Sequence, residues 1–290
     1  MATEPSLTCQ ICGGPVARYR HDWLSRCGVC GVLSSSLQVA IPAQAAEAGI
    51  DEAARETGLA TLRRHNNARL LEVLKRLAPG GGRLLDVGCG PGFLLAQAKA
   101  AGFAAEGLEP DANVVEAARR HGAQVRHGYF PDQLAPGETF DVIVFNDVLE
   151  HIPSLRAALA AAARHLAPGG VLCLNCPDRR GLFYRVADLL DRLGLGGPYG
   201  RLWQRGLPSP HVWYFTPDLL DRATERHGFE PAARARLASV ELEGLWSRIR
   251  LDRKASLAGS LAAYAFTVGV YPLQAALPSD ATACFYRKPI

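Results

Sequence analysis

One nine-residue stretch constrains this chain more than any other: Leu84-Leu85-Asp86-Val87-Gly88-Cys89-Gly90-Pro91-Gly92. Apolar residues lead to an acid and then to three glycines at alternate positions. The apolar half predicts a short strand of the kind a parallel sheet buries on both faces. Without a Cβ, the glycines let the backbone turn sharply and let a ligand approach closely. A helix predicted over 93–101 would aim its free N–H groups and the positive end of its dipole at that ligand. A carboxylate or phosphate suits such a spot. A second strand, 104–109, ends in Glu109, 23 residues after Asp86. An acid at that tip can accept both ribose hydroxyls of a nucleoside.

The same alternation continues along the chain. Leu62, Leu70, Leu71, Leu74 and Leu77 mark one helix face, stopped by Pro79 and three glycines. Helices are predicted over 111–121, 154–166 and about 217–227, and strands over 124–127, 140–145, 171–175 and 282–288. Strand–helix alternation of this kind predicts a doubly wound α/β fold with a mostly parallel sheet.

The glycine spacing separates two nucleotide classes. A dinucleotide turn reads G-x-G-x-x-G, whereas this chain reads G-x-G-x-G with Pro91 inside it. Together with "GLEPD", "FDVIVFNDVLEHI" and "LAPGGVLCLNCP", in that order over about 83–230, it resembles the class I S-adenosylmethionine-dependent methyltransferases. The resemblance implies their Rossmann-like, seven-stranded sheet and S-adenosylmethionine as cofactor. It places Asp86, Gly88, Gly90 and Gly92 around the methionine half of the cofactor, Glu109 on the ribose with Pro110 beside it, and Asn146 at the end of the fourth strand. Where the family carries an acidic or polar adenine contact, this chain has His127-Gly128-Tyr129-Phe130, and stacking by Tyr129 or Phe130 is expected instead.

The acceptor side is expected just past the fourth strand, because reacting groups in such sheets gather beyond the carboxyl ends. If a helical turn begins at Asn146, then Asp147, Glu150 and His151 share one face at i, i+3 and i+4. They could hold a divalent cation, or Asp147 could orient His151 as a general base. The grouping resembles the E-x-x-E-H metal site of ubiquinone-pathway O-methyltransferases and of small-RNA 2′-O-methyltransferases, with Asp147 in place of the first glutamate. His211 falls where such families put a late histidine over the acceptor. The plainer reading is that Leu149-Glu150-His151 only caps a helix and holds a loop. Cys89 and Cys173 read as small core residues.

Before this domain, Cys9-x-x-Cys12 and Cys27-x-x-Cys30 lie 14 residues apart, each pair followed by glycine. Four thiolates so spaced predict a structural zinc, in a segment too short to build its own core. The expected division is a zinc ribbon over 1–36, a linker over 37–61, and the methyltransferase domain over 62–290 with insertions at about 178–214 and 243–280. Arg18, Tyr19, Arg20, Trp23 and Arg26 could serve RNA or pack the ribbon's own hairpin. A scaffold or substrate-gating role is the favoured expectation.

The net charge is only +4 and the basic residues are scattered, so there is no footprint of a dedicated nucleic-acid binder. The N-terminus lacks a secretory pattern, and paired cysteines then read as metal ligands in a cytoplasmic protein. Residues 255–279 lack formal charge but are interrupted by Ser256, Ser260, Thr267, Pro272 and Gln274. They predict a buried or membrane-surface helix rather than a span, hence a peripheral membrane contact. The expectation for function is methyl transfer to a hydroxyl of a small-molecule, sugar or lipid-linked acceptor. Two others stand beside it: a zinc-ribbon RNA methyltransferase, and a non-catalytic zinc-binding interaction protein with a vestigial nucleotide fold.

Overall fold

A computed structural model describes residues 8–40, 52–250, 256–274 and 276–290 of the chain. Residues 41–51 of the expected linker and the first seven residues lie outside the described residues. The N-terminal segment forms β1 (Val16–Tyr19), β2 (His21–Cys27) and β3 (Leu33–Ser35). There follow α1 (Glu52–Leu77), β4 (Gly82–Val87), α2 (Phe93–Ala100), β5 (Phe103–Glu109), α3 (Ala112–Arg120), β6 (Val125–His127) and β7 (Phe140–Asn146). The chain continues through α4 (Leu155–His165), β8 (Leu166–Pro177), α5 (Leu182–Arg192), α6 (Gly197–Leu202), β9 (Trp213–Tyr214), α7 (Pro217–Glu225) and β10 (Glu230–Arg236). It ends with α8 (Leu245–Arg250), α9 (Leu257–Val270) and β11 (Ala281–Arg287).

The main sheet has seven strands in the order β10-β11-β8-β7-β4-β5-β6. The pairs β7–β8, β4–β7, β4–β5 and β5–β6 are parallel, while β11 runs antiparallel between β8 and β10. This is the Rossmann-like methyltransferase sheet that the resemblance implied. Strand order reverses between β4 and β7, so their carboxyl ends open the crevice where ligands bind in such sheets.

Each central strand feeds both faces, as its continuous apolar run predicts. In β7, Val142 and Val144 join the core beneath α1 and α2, while Ile143 and Phe145 join the core beneath α4 and α7. All four are fully buried. Cys89 and Cys173 are buried among the first set, as expected of small core residues.

The sequence reading differed from the structure at three edges. The helix α1 begins at Glu52 rather than near Leu62. The strand expected over 171–175 is longer, β8 taking in Leu166–Pro177 and with it Ala167-Pro168-Gly169-Gly170. The strand β10 was not foreseen at all: Glu230-Pro231-Ala232-Ala233-Arg234-Ala235-Arg236 is mostly exposed. Proline and arginine on a sheet edge blunt further pairing, and they also hide the strand's periodicity.

The ribbon is not self-contained. Its sheet has the order β1-β2-β3-β9, and β9 comes from the segment 178–214. Cys9, Ile11, Cys27 and Val32 share a core with Phe145, Leu174, Trp213 and Phe215. Leu24 and Leu33 pack with Tyr184, Tyr199, Trp203 and Tyr214.

Candidate active site

The strand β4 ends at the glycine turn, and the backbone there takes left-handed values at Gly88, Gly90 and Gly92 (φ 69°, 52° and 84°). A Cβ on Gly88 would stand 2.6 Å from Val148 Cγ2. The turn after β7 is thereby seated directly on the turn after β4. A Cβ on Gly90 would meet nothing within 4 Å, so this backbone borders open space. Gly92 begins α2 without a side-chain cap, leaving the first N–H groups for a ligand.

Glu109, at the tip of β5, ties the turn to the next helix. Its Oε2 accepts from the Gly90 N–H and its Oε1 from the Asp111 N–H, both at 3.0 Å. Burial raises its pKa, and those N–H bonds partly oppose the rise. Asp111 caps α3 by accepting from Asn113 N and Val114 N. Asp86 is 2% exposed, and its Oδ1 has no partner among the described residues. Burial, then the charge of Glu109, lifts its pKa to about 8.

Beyond β7 a chain of amides crosses the crevice. Asn146 Nδ2 donates to Asn67 Oδ1 at 3.2 Å, and Asn175 Nδ2 donates to Asn146 Oδ1 at 2.7 Å and to Asp147 Oδ1 at 3.0 Å. Neither Asn67 nor Asn175 was singled out from the sequence. A signal for Asn67 existed, since it lies three, four and seven residues before Leu70, Leu71 and Leu74 and so breaks their apolar face.

The expected face of Asp147, Glu150 and His151 does not form as proposed. Asp147 has φ 57°, which interrupts a helix begun at Asn146, and a short 3-10 turn starts only at Leu149. The metal-ligating atoms that converge within 4.8 Å belong to Glu150, His151 and His211. Asp147 lies to one side, although its charge adds to the burial that drives the Glu150 pKa well above the usual carboxylate range. Glu150 is 1% exposed, and its Oε2 and the Nδ1 of buried His211 have no hydrogen-bond partner among the described residues.

The two histidines are held differently. His151 Nδ1 sits 3.0 Å from the Pro210 carbonyl and 3.2 Å from Ser209 Oγ; donating there leaves its basic lone pair on Nε2. His211 lies edge-on to His151 with ring centroids 4.8 Å apart. Burial, then the neighbouring His151, lowers its pKa to about 3 and keeps it neutral. Gln204 Nε2 is 2.9 Å from His211 Nε2. Ser35 of the ribbon donates twice to this segment, from Oγ to the His211 carbonyl at 2.7 Å and from its N–H to the Val212 carbonyl at 2.9 Å.

Known proteins with the same turn and sheet decide the family. Residues 62–233, more than half of the chain, match a family described as "Methyltransferase domain". The chain belongs to the class I S-adenosylmethionine-dependent methyltransferases.

A ubiquinone biosynthesis O-methyltransferase of Rhodopseudomonas palustris is 29% identical to this methyltransferase over 189 residues, 62% of this chain and 69% of that protein. One from Paramagnetospirillum magneticum is 40% identical over 119 residues, 39% of this chain and 48% of that protein. Two solved structures share the fold. A SAM-dependent methyltransferase of Thermotoga maritima has a TM-score of 0.54 at 17% identity, covering 82% of this chain and 95% of its own. Phosphoethanolamine N-methyltransferase 2 of Haemonchus contortus, in complex with S-adenosyl-L-methionine, has a TM-score of 0.51 at 19% identity, covering 77% of this chain and 53% of its own.

The residues of the methyltransferase fit its cofactor on three counts. The orphaned, buried Asp86 carboxyl offers a partner for an ammonium group. The open space over Gly90 admits a ligand against bare backbone, and Glu109 retains a lone pair on each oxygen for a ribose hydroxyl. Pro110 lies beside it, its carbonyl 3.1 Å from His127 Nε2. The adenine expectation divides: Tyr129 is exposed and open to stacking, whereas Phe130 packs edge-on against Phe145 in the core.

The four ribbon sulphurs also converge within 4.8 Å, with Cys9–Cys30 at 3.6 Å and Cys12–Cys27 at 3.4 Å. A tetrahedron with metal–sulphur arms of about 2.3 Å has edges of roughly 3.8 Å. Burial opposes a thiolate at Cys27, but the N–H groups of Cys30 and Val29 and the thiol of Cys12 bring its pKa down to about 6. These residues could hold a zinc ion.

Proposed function

We propose that this methyltransferase acts on a hydroxyl of a small or lipid-linked molecule, with His151 as the base. The observation that supports the reading is the Glu150–His151–His211 cluster, with Glu150 and His211 buried and His151 half-buried, next to Val148, which packs against Gly88 of the glycine turn. The bound cofactor supplies a methyl group already activated on sulphur. The protein therefore has to align the acceptor in line with that methyl and remove its proton. His151 would take the acceptor's hydroxyl proton on Nε2, the ring nitrogen left free by the Pro210 and Ser209 contacts at Nδ1. His211, neutral and fixed by Gln204 and the ribbon, keeps His151 in place. Burial, then the charge of Asp147, raises the Glu150 pKa; with a divalent cation bound, its carboxylate would serve as a ligand alongside both histidines. The relatives named for ubiquinone biosynthesis O-methylation support an oxygen acceptor.

Four ribbon thiolates holding zinc would anchor β3, and through Ser35 the His211 segment. The ribbon's part is then to position the acceptor wall. The apolar end of the acceptor is supported by α9, whose Leu257, Leu261, Tyr264, Phe266 and Val268 are exposed while Ser260 and Thr267 are buried. That inverted face suits contact with a bilayer surface. No helix among the described residues is long and apolar enough to cross a membrane.

The test is labelled-methyl transfer to a panel of hydroxyl-bearing small molecules, sugars and lipids, comparing wild type with His151→Ala, with and without chelation. Loss of product at unchanged cofactor affinity supports the base. Undiminished product in the variant, chelated or not, would remove His151 and the cation together from the chemistry.

A further inference from the structure

A cavity lined by none of the glycine-turn residues lies elsewhere in the fold. It has a volume of about 1210 Å³ and opens between the ribbon, α5, the start of α7 and the edge strand β10. Eight arginines line it against three aspartates, in a chain whose net charge is only +4. They arrive from separate elements: Arg26 from β2, Arg179 and Arg180 beyond β8, Arg185 from α5, Arg222 from α7 and Arg234 from β10. Folding has therefore drawn together charges that are scattered in sequence and that repel one another.

Some of this charge is neutralised locally. Arg180 pairs with Asp178 at 3.1 Å, Arg192 with Asp188 at 3.0 Å, and Arg234 with Asp221. Arg179 donates to the Gly31 carbonyl of the second cysteine knuckle at 2.6 Å, which fixes the ribbon as one wall. The side chains of Arg185 and Arg222 have no hydrogen-bond or ion-pair partner among the described residues. Thr216, Pro217, Asp218 and Leu219 bring the first turn of α7, with its positive dipole end, to the same space.

We propose that this cleft binds a small molecule carrying a phosphate or diphosphate group. Unpaired guanidiniums converging in a concavity are the donors that phosphate oxygens take bidentately. The volume exceeds what a lone anion needs and suits a phosphorylated ligand with an organic body. Tyr19, Tyr184 and Leu219 supply apolar wall for that body. A nucleic acid would call instead for a basic stripe running on across a face; here the arginines, most of them exposed at the rim, converge on one concavity. Binding of such a ligand does not depend on the function proposed above.

The experiment is calorimetric titration of the full-length, zinc-loaded protein with inorganic pyrophosphate at low ionic strength. It is repeated with Arg185→Gln/Arg222→Gln, and S-adenosylmethionine is titrated into both proteins. The proposal expects the double variant to bind pyrophosphate about 10- to 100-fold more weakly, with cofactor affinity unchanged. No binding at millimolar pyrophosphate, or equal binding by both proteins, overturns it. So does a short single-stranded RNA that displaces pyrophosphate from wild type with higher affinity. Pyrophosphate binding without cofactor binding would leave the cleft standing and defeat the methyl-transfer reading instead.

Discussion

Glu109→Gln isolates the electrostatic part of the cofactor site at nearly constant shape. In the native protein each carboxylate oxygen accepts one backbone N–H at 3.0 Å, from Gly90 and from Asp111, and keeps a second lone pair. The amide has one acceptor and one donor, so its NH2 must face one of those N–H groups. The variant loses one charge-assisted bond to a ribose hydroxyl, and the other becomes neutral. Such bonds contribute about 1.5–3 kcal/mol each, and roughly half of that when neutral. The expected loss is about 2–4 kcal/mol, or roughly 30- to 1000-fold in Kd. Stability should change little, because an unmatched N–H costs about 1–3 kcal/mol while removal of a buried carboxylate with a raised pKa offsets it. Calorimetry with S-adenosylmethionine and S-adenosylhomocysteine reads the first quantity and thermal melting the second. A Kd within threefold of wild type, in a protein that melts normally, would refute the assignment of Glu109 to the ribose. Glu109→Leu leaves both N–H groups unpaired and should also destabilise the protein, by about 2–6 kcal/mol.

Asp86→Asn should weaken cofactor binding yet stabilise the ligand-free protein. The folded-state pKa is lifted to about 8, so the folded chain holds a proton that the unfolded chain releases from about pH 4 upward. Wild-type stability therefore falls as pH rises between those values, and the gain in melting temperature from the asparagine should widen from pH 5 to pH 8; an advantage that does not change with pH counts against the buried carboxyl. Glu138 is the opposite case. Arg126, then Arg83, hold its pKa well below the usual range against a burial contribution that would raise it. Its contribution is present above about pH 4.3 and is lost as pH falls. Glu138→Gln should cost about 1–2 kcal/mol at pH 7, discounted for the solvent-exposed arginines, and urea unfolding should show the gap closing in acid. Zinc removal by a strong chelator should release one metal per chain and lower the melting temperature of the whole protein, because Cys9 and Cys27 share a core with Phe145 and Phe215; a melt that separates into two transitions would show the ribbon to be independent.

The central strands, the glycine turn and its acid are legible along the chain, because each rests on residues close together in sequence. An apolar run flanked by glycines has one economical use, and Glu109 follows from its position at a strand tip. The cysteine pairs were legible for the same reason: ligand spacing is a local property. What only the tertiary structure decided is which distant residues meet. Asp147 was grouped with Glu150 and His151 by helical spacing, but a left-handed backbone at Asp147 turned that spacing to another use. His211 entered the cluster instead, carried there by a strand that pairs with the ribbon. Asn175 joined Asn146 because β7 and β8 are in register at that pair. The arginine cleft was invisible for the same physical reason: its charges are dispersed along the chain, and only the docking of ribbon, helices and edge strand concentrates them. The glycine turn thus specifies the cofactor from sequence alone, whereas the acceptor's surroundings are assembled by contacts across the fold.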